Sequence, residues 1–438
     1  MIAPRAAVPT VTFVDNYCAA YAHLFSEVRT FENFKYLHLG MLSDIKRKSL
    51  PAIAKAVGLH DAQPLQNFIT NSPWSVVELR EQRLALTLEM LTGRSIKLII
   101  DETGDKKKGD DTNYVARQYI GNLGKIDNGI VSVNAYGVLG DITFPLMFKI
   151  YKPKTTLKEG DSYKTKPQLA AEIIQELKDK KFNFDLVLAD SLYGESDTFV
   201  TVLNKFKLEY VLAIRSNHPV ILPPGQNVIH DEWQRFYRIF TDGNVEYRYL
   251  REILFGSRKL VTFWQITTDT QTLPKNQTWY VMTSLQGDLV QKLGNLYGFR
   301  NWVEYAFKQA KNELGWADFR VTDYKQIEKW WEIVMSTYLM VSGHAQMREA
   351  TVPIEEINTC FSNQEVESSK FSKHIWWDFN LGWKSTLNNL RLFVQPYIFF
   401  NLIKPWLTVF DIKCLRFGFC FLIERLNGFR GYMPVNSG

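Results

Sequence analysis

The sequence predicts a mixed α/β domain that is interrupted by a β-rich segment and flanked by helical regions. Three apolar runs with the length of buried strands lie at 95–101, 184–190 and 210–216, with helical patterns between the last two. Apolar residues recur at helical spacing from about 15 to 95 and again after 297. Strands that alternate with helices along one chain are typical of a sheet covered by helices.

Residues 1–94 are predicted to form a helical region. A short helix from Pro51 to Val57 ends at Gly58, and Asp61 can cap a second helix of about ten residues. Two helices joined by a tight glycine turn have the shape of a helix-turn-helix, which suggests contact with DNA. Helix pairs of this kind also occur in plain helical bundles, so both interpretations stay open.

Residues 95–217 are predicted to form the first part of the mixed sheet. The strand at 95–101 is followed by a hairpin of two strands, 129–140 and 142–151, with a tight turn at Gly140-Asp141. The remaining elements alternate between helix and strand, at 166–181, 184–190, 195–206 and 210–216.

The second half of the chain changes character twice. Residues 218–290 contain short alternating segments, such as KLVTFWQITTD and TWYVMTSL, and are predicted to be a β-rich insertion. Helical patterns then dominate. Residues 291–350 are predicted to complete the α/β domain, and residues 351–438 to form a C-terminal helical region.

The composition is that of a globular chain. Of 438 residues, 46% are hydrophobic and 22% are charged, and the net charge of +6 is compatible with nucleic acid without requiring it. Cys18, Cys360, Cys414 and Cys420 lack the paired spacing of a zinc site and fit a reducing cytoplasm. Without a secretory signal or a long apolar run, the protein is expected to be cytoplasmic and not to span a membrane.

Carboxylates close two of the buried-strand patterns, at Asp101 and Asp190. Ligands of open α/β sheets gather at the carboxyl ends of the strands. Each aspartate alone is more often a helix cap or a turn former, but together with Glu304 from a later helix the pair can hold divalent cations. Two Mg²⁺ ions at such a site can activate a water or a 3′-hydroxyl for attack at phosphorus. Glu102 is expected to point to the opposite face of its strand and not to be a ligand.

The helical segment YGFRNWVEYAFKQAKNELG (297–315) carries an unusual polar side. Tyr297, Arg300, Glu304 and Lys311 stand at offsets 0, 3, 7 and 14, which places all four on a stripe about 60° wide if the helix is regular. A solvated face with ordinary ion pairs would explain the same pattern.

Four stretches together resemble bacterial insertion-sequence transposases of the DDE type: DETGDKKKG (101–109), VARQYIGNLGKIDNG (115–129), LADSLYGES (188–196) and YGFRNWVEYAFKQAK (297–311). More narrowly, the chain resembles the superfamily marked by Tyr-x2-Arg-x3-Glu-x6-Lys around the third acid. That signature is matched at Tyr297, Arg300, Glu304 and Lys311. The likeness covers about 95–350 and, less specifically, the N-terminal helices; it is weak beyond about 360.

The resemblance implies an RNase H-like core in which Asp101, Asp190 and Glu304 bind two Mg²⁺ ions, for which Mn²⁺ can substitute. It also implies a β-rich insertion between the second aspartate and the glutamate. Such enzymes cut double-stranded DNA at the terminal inverted repeats of an element and join the 3′-hydroxyls to target DNA. A homodimer in the end complex, in the bacterial cytoplasm near the nucleoid, is expected on the same basis.

DNA contacts are implied at several further positions. Tyr297, Arg300 and Lys311 would hold phosphates near the cut, since Arg grips a phosphate in a bidentate manner and Lys acts as a point charge. Trp279, in TWYVMTSL (278–285), resembles the Trp that stacks on a flipped base in hairpin-forming members. The alternative is a core residue of a strand, and Trp264 and Trp233 are rivals for the role.

Basic residues near the first acid are a second group of candidates. Lys106, Lys107 and Lys108 follow Asp101 and can contact backbone phosphates, although a solvated charge run is the alternative. Arg117 and Lys125 lie in one of the family-like stretches and are weaker candidates for the same role.

Three other functions compete with a transposase. An RNase H-like nuclease would cut DNA but would not join it to a target. A domesticated DNA-binding protein would have lost the acids, whereas Asp101, Asp190 and Glu304 are all present. A metabolic α/β enzyme would need a cofactor fingerprint, and GDKKKGDDT lacks the order of a phosphate-binding loop.

Overall fold

The computed structural model describes residues 5–219, 224–225, 227–240, 243–254, 261–350 and 370–431. The N-terminal region contains five α-helices, α1 to α5: Thr12–Ala19, Val28–Leu42, Leu50–Ala56, Gln63–Thr70 and Val76–Leu91. Short 3-10 turns lie at Ala22–Leu24, Gly121–Leu123, Lys154–Thr156 and Phe299–Asn301.

Helices α3 and α4 are the pair that the sequence suggested as a helix-turn-helix. Gly58 joins them in a left-handed conformation with φ of +81°, which a residue with a side chain rarely adopts. The Asp61 carboxylate accepts a hydrogen bond from the Gln63 amide at 2.8 Å, at the start of α4. Helix α4 buries Leu65, Phe68 and Ile69, so its other face is turned outward.

Eleven strands of the described residues form one sheet: β1 Ile96–Lys106, β2 Ala116–Ile120, β3 Lys125–Leu139, β4 Ile142–Ile150, β5 Phe184–Ala189, β6 Tyr210–Ile214, β7 Ile229–His230, β8 Gln234–Ile239, β9 Val245–Leu254, β10 Thr262–Thr267 and β11 Thr278–Thr283. The order is β2-β3-β1-β5-β6-β11-β10-β9-β7, with β4 also paired to β3 and β8 to β9. β1, β5 and β6 run parallel, and the other pairs are antiparallel.

The remaining α-helices of the described residues follow in chain order as α6 to α13: Lys166–Asp179, Ser191–Gly194, Asp197–Lys205, Leu293–Gly298, Trp302–Lys308, Tyr324–Ala350, Trp383–Val409 and Lys413–Leu426. A mixed sheet with helical regions at both ends of the chain confirms the predicted α/β fold class with an RNase H-like core. Of the predicted C-terminal region, residues 351–369 (including Cys360) and 432–438 lie outside the described residues.

Strand β1 is longer than the sequence pattern predicted. The apolar run ends at Asp101, but β3 pairs with β1 from Lys97 opposite Val138 to Lys106 opposite Gly129. Backbone pairing with a long neighbour thus extends the strand through polar residues. The parallel pairing with β5, in contrast, stops at Ile100 opposite Ala189.

The described strands of the β-rich segment do not form a separate sheet. Strand β11 pairs with β6 from Thr283 opposite Val211 to Tyr280 opposite Ile214, so β7 to β11 continue the central sheet. Side-chain alternation predicts strands but not their neighbours, which is why the sequence pattern could not show this continuity.

Helices α5 and α11 cover β4 and are joined to each other by a buried ion pair. Arg83 and Glu332 are both fully buried and lie 2.9 Å apart. Arg83 also donates to the carbonyl oxygens of Pro145 at 2.6 Å and Leu146 at 3.0 Å. The N-terminal helices are thereby attached to the sheet. Across the described ranges, no helix combines the length and the apolar character needed to cross a bilayer.

Candidate active site at the ends of the central strands

Asp101 and Asp190 are neighbours because of the strand register. The last parallel pair between β1 and β5 is Ile100 opposite Ala189, so the next residue of each strand is one of the two aspartates. A carboxylate oxygen of Asp101, of Glu102 and of Asp190 lie within 4.8 Å of one another. Asp190 also accepts a hydrogen bond from the Leu192 amide at 2.9 Å, which caps α7 and fixes the carboxylate.

Glu102 belongs to this acidic group, and the expectation that it points away from the site is wrong. Its carboxylate accepts hydrogen bonds from the Tyr193 hydroxyl at 2.8 Å and the Lys166 ammonium at 3.1 Å. Strand β5 does not extend as far as Glu102, so the long Glu102 side chain can reach around the end of β5. The alternation of side chains along one strand carries no information about where the neighbouring strand ends.

Burial and mutual repulsion raise the proton affinity of the acidic group. Burial, opposed by the attraction of the Arg300 guanidinium and assisted by the charges of Asp190 and Glu102, raises the pKa of Asp101 to about 7. Burial, followed by the charge of Glu102, also raises the pKa of Asp190. Crowded and partly dehydrated carboxylates of this kind favour a bound cation.

Arg300 connects the aspartates to Glu304. Its guanidinium lies 3.0 Å from Asp101 Oδ2 and 3.9 Å from Glu304 Oε1. The Glu304 side chain is 55% exposed, whereas that of Asp101 is 15% exposed. Within the described part of the chain, Glu304 is not one of the three acids that converge within 4.8 Å; it stands beside them on α10.

The predicted regular helix at 297–315 is broken into several turns. Helix α9 is followed by the 3-10 turn Phe299–Asn301, then by α10, and then by a π-helical turn at Gln309–Glu313. The rotation per residue around the helix axis changes at each transition, so the polar residues do not lie on one straight stripe over the whole segment. Tyr297 still lies beside Arg300, and burial raises the pKa of Tyr297 against the lowering effect of the Arg300 charge.

Lys311 is the signature residue that contacts β1 farthest beyond Asp101. Its ammonium donates to the Gly104 carbonyl oxygen at 2.7 Å and lies 2.8 Å from the Asp105 carboxylate. The side chain is only 14% exposed. These contacts attach the π-helical turn at Lys311 to β1, three and four residues beyond Asp101.

The three tryptophan candidates have different surroundings. Trp264 is buried in the core and donates to the Thr262 hydroxyl at 2.9 Å. Trp279 is half-buried on β11, with the Arg248 guanidinium 5.1 Å from its ring centroid. Trp233 is half-buried under Arg251, at 4.3 Å. Trp279 and Trp233 retain accessible ring surface, which Trp264 lacks.

The lysine run lies partly in β1 and partly beyond it. Lys106 is the last residue of the strand and pairs with Asp127 at 2.8 Å. Lys107 lies over the ring of Phe319 at 3.3 Å, and burial lowers its pKa to about 8. Lys108 is exposed and has no ion-pair partner among the described residues.

The two weaker basic candidates stand near the same end of β1. Lys125 lies 3.5 Å from the Asp127 carboxylate that Lys106 also contacts, and Arg117 on β2 is exposed. β2 and β3 pair from Ala116 opposite Gly129 to Ile120 opposite Lys125, which places both residues on one hairpin.

Sequence reasoning missed Lys166 and Tyr193 as neighbours of the acids. Both contact Glu102, and Tyr193 is fully buried. Tyr193 stands in LADSLYGES, three residues after Asp190, so the short helix α7 directs it back to the site. Lys166 comes from the start of α6, and no local pattern connects it to β1.

Comparison with known proteins identifies the family. The model of the DDE superfamily endonucleases matches residues 23–236, and the model of the transposase DDE domain matches residues 159–340. A relative from Microchaete diplosiphon, described as a probable transposase for insertion sequence element IS701, is 56% identical over 329 residues, or 75% of this chain and 87% of the relative. Taken with the paired acids, these matches confirm the resemblance found in the sequence: the chain belongs to the DDE transposases of insertion sequences.

Proposed function

We propose that this transposase cuts DNA at the ends of an insertion sequence and joins the freed 3′-hydroxyls to target DNA. Asp101, Asp190 and Glu304 are the residues that would hold two Mg²⁺ ions. The observation that carries the proposal is the convergence of Asp101 and Asp190 at the ends of two parallel strands, with Arg300 bridging to Glu304.

The chemistry of the acidic group fits a hard divalent cation. The candidate ligands are carboxylate oxygens, which Mg²⁺ and Mn²⁺ prefer. The raised pKa of Asp101 reflects burial and the repulsion of neighbouring acids, and a bound cation would offset both effects. Divalent ions held by these residues would supply an activated nucleophile and stabilise the leaving oxygen.

Arg300 is the residue best placed to exchange its contact with the acids for a contact with DNA. Its guanidinium rests on Asp101 at 3.0 Å, where it neutralises part of the local charge. With a cation bound, that charge is neutralised independently, so the guanidinium is free to grip a phosphate through two hydrogen bonds. Tyr297, which lies beside Arg300, would orient it.

Lys311 is better suited to positioning than to direct phosphate contact. Its ammonium is held by Gly104 and Asp105, and its low exposure leaves little surface for DNA. The contact pins the π-helical turn to β1, and the adjoining α10 carries Glu304. Lys311 would thereby fix the position of the third acid relative to Asp101.

Several surfaces around the acids are proposed to contact DNA. Trp279, with one face beside Arg248, would stack on a flipped base near the cut. Lys106, Lys107 and Lys108 would contact the backbone, with Arg117 and Lys125 on the neighbouring hairpin, although Lys107 is engaged with Phe319.

The N-terminal helices would recognise the terminal repeats. The outward face of α4 presents the side-chain amides of Gln63 and Asn67, and Asn71 follows at the end of the helix; amide side chains can pair with adenine in the major groove. Two copies would act together, one for each end, on the bacterial chromosome in the cytoplasm.

The test uses purified full-length protein, DNA that carries both element ends, and Mg²⁺ or Mn²⁺. Wild-type protein should nick the ends and yield joined products with target DNA, and Glu304→Gln should abolish both. Asp185→Asn is a matched control, because Asp185 is a 49% exposed acid on β5 away from the acidic group. Normal cutting by Glu304→Gln would remove Glu304 from the site, and cutting without joining would indicate a nuclease.

A further inference from the structure

Two segments that are far apart in the sequence meet beside the helix of the third acid. The first, residues 43–48, connects α2 to α3 and is called the connector below. Helices α3 and α4, the recognition helices, follow it. The second, residues 313–318, is called the post-turn segment, because it begins at the last residue of the π-helical turn that continues α10, the helix of Glu304. Contacts between the two segments therefore relate the recognition helices to the acids.

Arg391 on α12 bridges the two segments. Its guanidinium donates to the carbonyl oxygen of Leu42, the last residue of α2, at 2.9 Å, and lies 3.7 Å from the carboxylate of Asp44 in the connector. The same guanidinium lies 2.9 Å from the Glu313 carboxylate. The Arg391 side chain is only 11% exposed, so water and salt screen these contacts less than contacts at the surface. One side chain thus holds the end of α2 and the end of the π-helical turn together.

Asp318 joins the same two segments without Arg391. Its carboxylate accepts a hydrogen bond from the Lys48 amide at 2.7 Å and lies 3.8 Å from the Arg47 guanidinium. Lys48 is buried and packs so closely on Gly315 that a Cβ added to this glycine would lie 2.4 Å from the Lys48 Cβ. The connector and the post-turn segment are therefore in close backbone contact as well as bridged by side chains.

Helix α12 contacts the recognition helices at a further point. A Cβ added at Gly58, in the turn between α3 and α4, would lie 2.7 Å from the Asn401 side-chain oxygen. Asn401 and Arg391 both belong to α12. The same helix thus supports the turn of the recognition helices and the end of the π-helical turn.

The π-helical turn is held on its other side by strand β1. Lys311 donates to the Gly104 carbonyl oxygen and pairs with Asp105, both on the strand that carries the first acid. The recognition helices are therefore linked to the acids through a short series of charged contacts. Single substitutions can remove each of these contacts.

We propose that Arg391 and Asp318 fix the position of the recognition helices relative to the acids and thereby determine which phosphate of the DNA end is cut. A protein that binds a repeat at one place and cuts at another needs a constant distance between the two. Successive phosphates of one strand are about 3.4 Å apart along the helix axis, so a displacement of that size would move the cut by one nucleotide. Hydrogen bonds between charged groups are strong and directional, which suits them to this task.

This inference rests on the proposed function, because it assigns the recognition of the terminal repeats to α3 and α4. Arg391 and Asp318 are positioning residues, which act through the elements that they hold and not through contact with DNA or with a metal ion. Their replacement should therefore change where the DNA is cut, while the Kd for DNA that carries one end should remain the same.

The first experiment maps the cut at single-nucleotide resolution on DNA that carries one element end, with Mg²⁺. Wild type should cut at one phosphate. For Arg391→Gln and Asp318→Ala, the ratio of cuts at that phosphate to cuts at its neighbours should fall about tenfold, the effect of losing one hydrogen bond to a charged group. If both variants cut only at the wild-type phosphate, at whatever rate, the inference is refuted while the proposed function stands.

Two control variants separate this role from a general loss of stability. Lys384→Gln removes an ion pair with Glu313 at 2.6 Å that does not involve the connector, and Asp318→Asn keeps an acceptor for the Lys48 amide. Both controls should cut at the wild-type phosphate. A spread of cuts in either control as wide as in Arg391→Gln would contradict the proposal. Asp318 is 24% exposed, so Asp318→Ala should fold even if Arg391→Gln does not.

The second experiment tests the positioning without DNA, metal or cutting. Nitroxide labels on Asn67→Cys of α4 and Tyr305→Cys of α10, two exposed positions, report the distance between the recognition helices and the helix of Glu304. The background replaces the other cysteines, apart from the buried Cys18, by Ser.

The distribution of label distances should be narrow when Arg391 and Asp318 are present. It should become broader with Arg391→Gln or with Asp318→Ala, and it should remain narrow with Lys384→Gln. An equal width in all these proteins would overturn the proposal. If wild type cuts no end with Mg²⁺, the proposed function fails, and the label distances still decide whether Arg391 and Asp318 hold the recognition helices in place.

Discussion

Replacement of Asp101 by Asn should stabilise the metal-free protein, and more so at high pH. Burial raises the pKa of the Asp101 carboxyl from 3.8 to about 7. Between these two values the folded state binds more protons than the unfolded state, so the contribution of Asp101 to stability falls as the pH rises. Above about pH 7 the penalty is complete, because the carboxylate is ionised in both states.

The magnitude follows from the two pKa values. A tenfold change in a protonation equilibrium corresponds to about 1.4 kcal/mol, so the difference between 3.8 and about 7 corresponds to about 4 kcal/mol. The Asp101 side chain is 15% exposed, and water reduces this penalty. We therefore expect Asp101→Asn to raise the free energy of unfolding by about 2–4 kcal/mol near pH 8 and by about 1–1.5 kcal/mol near pH 5.

The assay is thermal unfolding in EDTA at both pH values, with wild type, Asp101→Asn and Asp185→Asn compared. The control Asp185→Asn should change Tm little at either pH, because Asp185 is 49% exposed. Addition of Mg²⁺ near pH 8 should reduce the difference in Tm between Asp101→Asn and wild type, since the cation stabilises wild type alone. An equal difference in Tm between Asp101→Asn and wild type at both pH values would refute the reasoning. A lower Tm for Asp101→Asn than for wild type near pH 8 would refute it as well.

Three further substitutions test other parts of the structure. Glu332→Gln should cost about 3–5 kcal/mol and lower Tm, because it leaves the buried guanidinium of Arg83 without its counter-charge; an unchanged Tm would contradict this. Gly194→Ala should lower Tm and impair end cutting, since an added Cβ would overlap the carbonyl oxygen of Ala213; full stability with full cutting would show that the backbone yields at no cost. Trp279→Ala should preserve nicking of the first DNA strand and reduce the formation of hairpin-ended DNA by about tenfold, because base stacking is lost. An unchanged yield of hairpin-ended DNA would remove Trp279 from the site.

Local patterns were sufficient for the strands that carry the first two acids. The apolar runs before Asp101 and Asp190 predict buried parallel strands, and parallel strands present their carboxyl ends at one edge. Both aspartates could therefore be predicted to lie together before any contact was known. Strand periodicity and strand ends are encoded over a few residues, which is why short stretches reveal them.

Glu304 shows where the pattern stops being sufficient. The signature places Glu304 near Arg300 on one helix, and the structure has them 3.9 Å apart. The spacing did not reveal that Arg300 would rest on Asp101, or that Lys311 would turn toward Asp105. Arg300 lies in the 3-10 turn and Lys311 in the π-helical turn, and the sequence pattern predicted neither irregular turn.

The sequence by itself determined the α/β class, the strand ends that carry Asp101 and Asp190, and the membership of the family, because all of these depend on local periodicity and residue identity. Tertiary structure alone decided that β1 extends to Lys106, that Glu102 joins the acids, and that the β-rich segment continues the central sheet. It also decided that, among the described residues, the last two helices, α12 and α13, leave aromatic side chains such as Phe417 and Phe421 exposed. The physical reason is that strand pairing, the place where a neighbour ends and the burial of an apolar face depend on residues far apart in the chain.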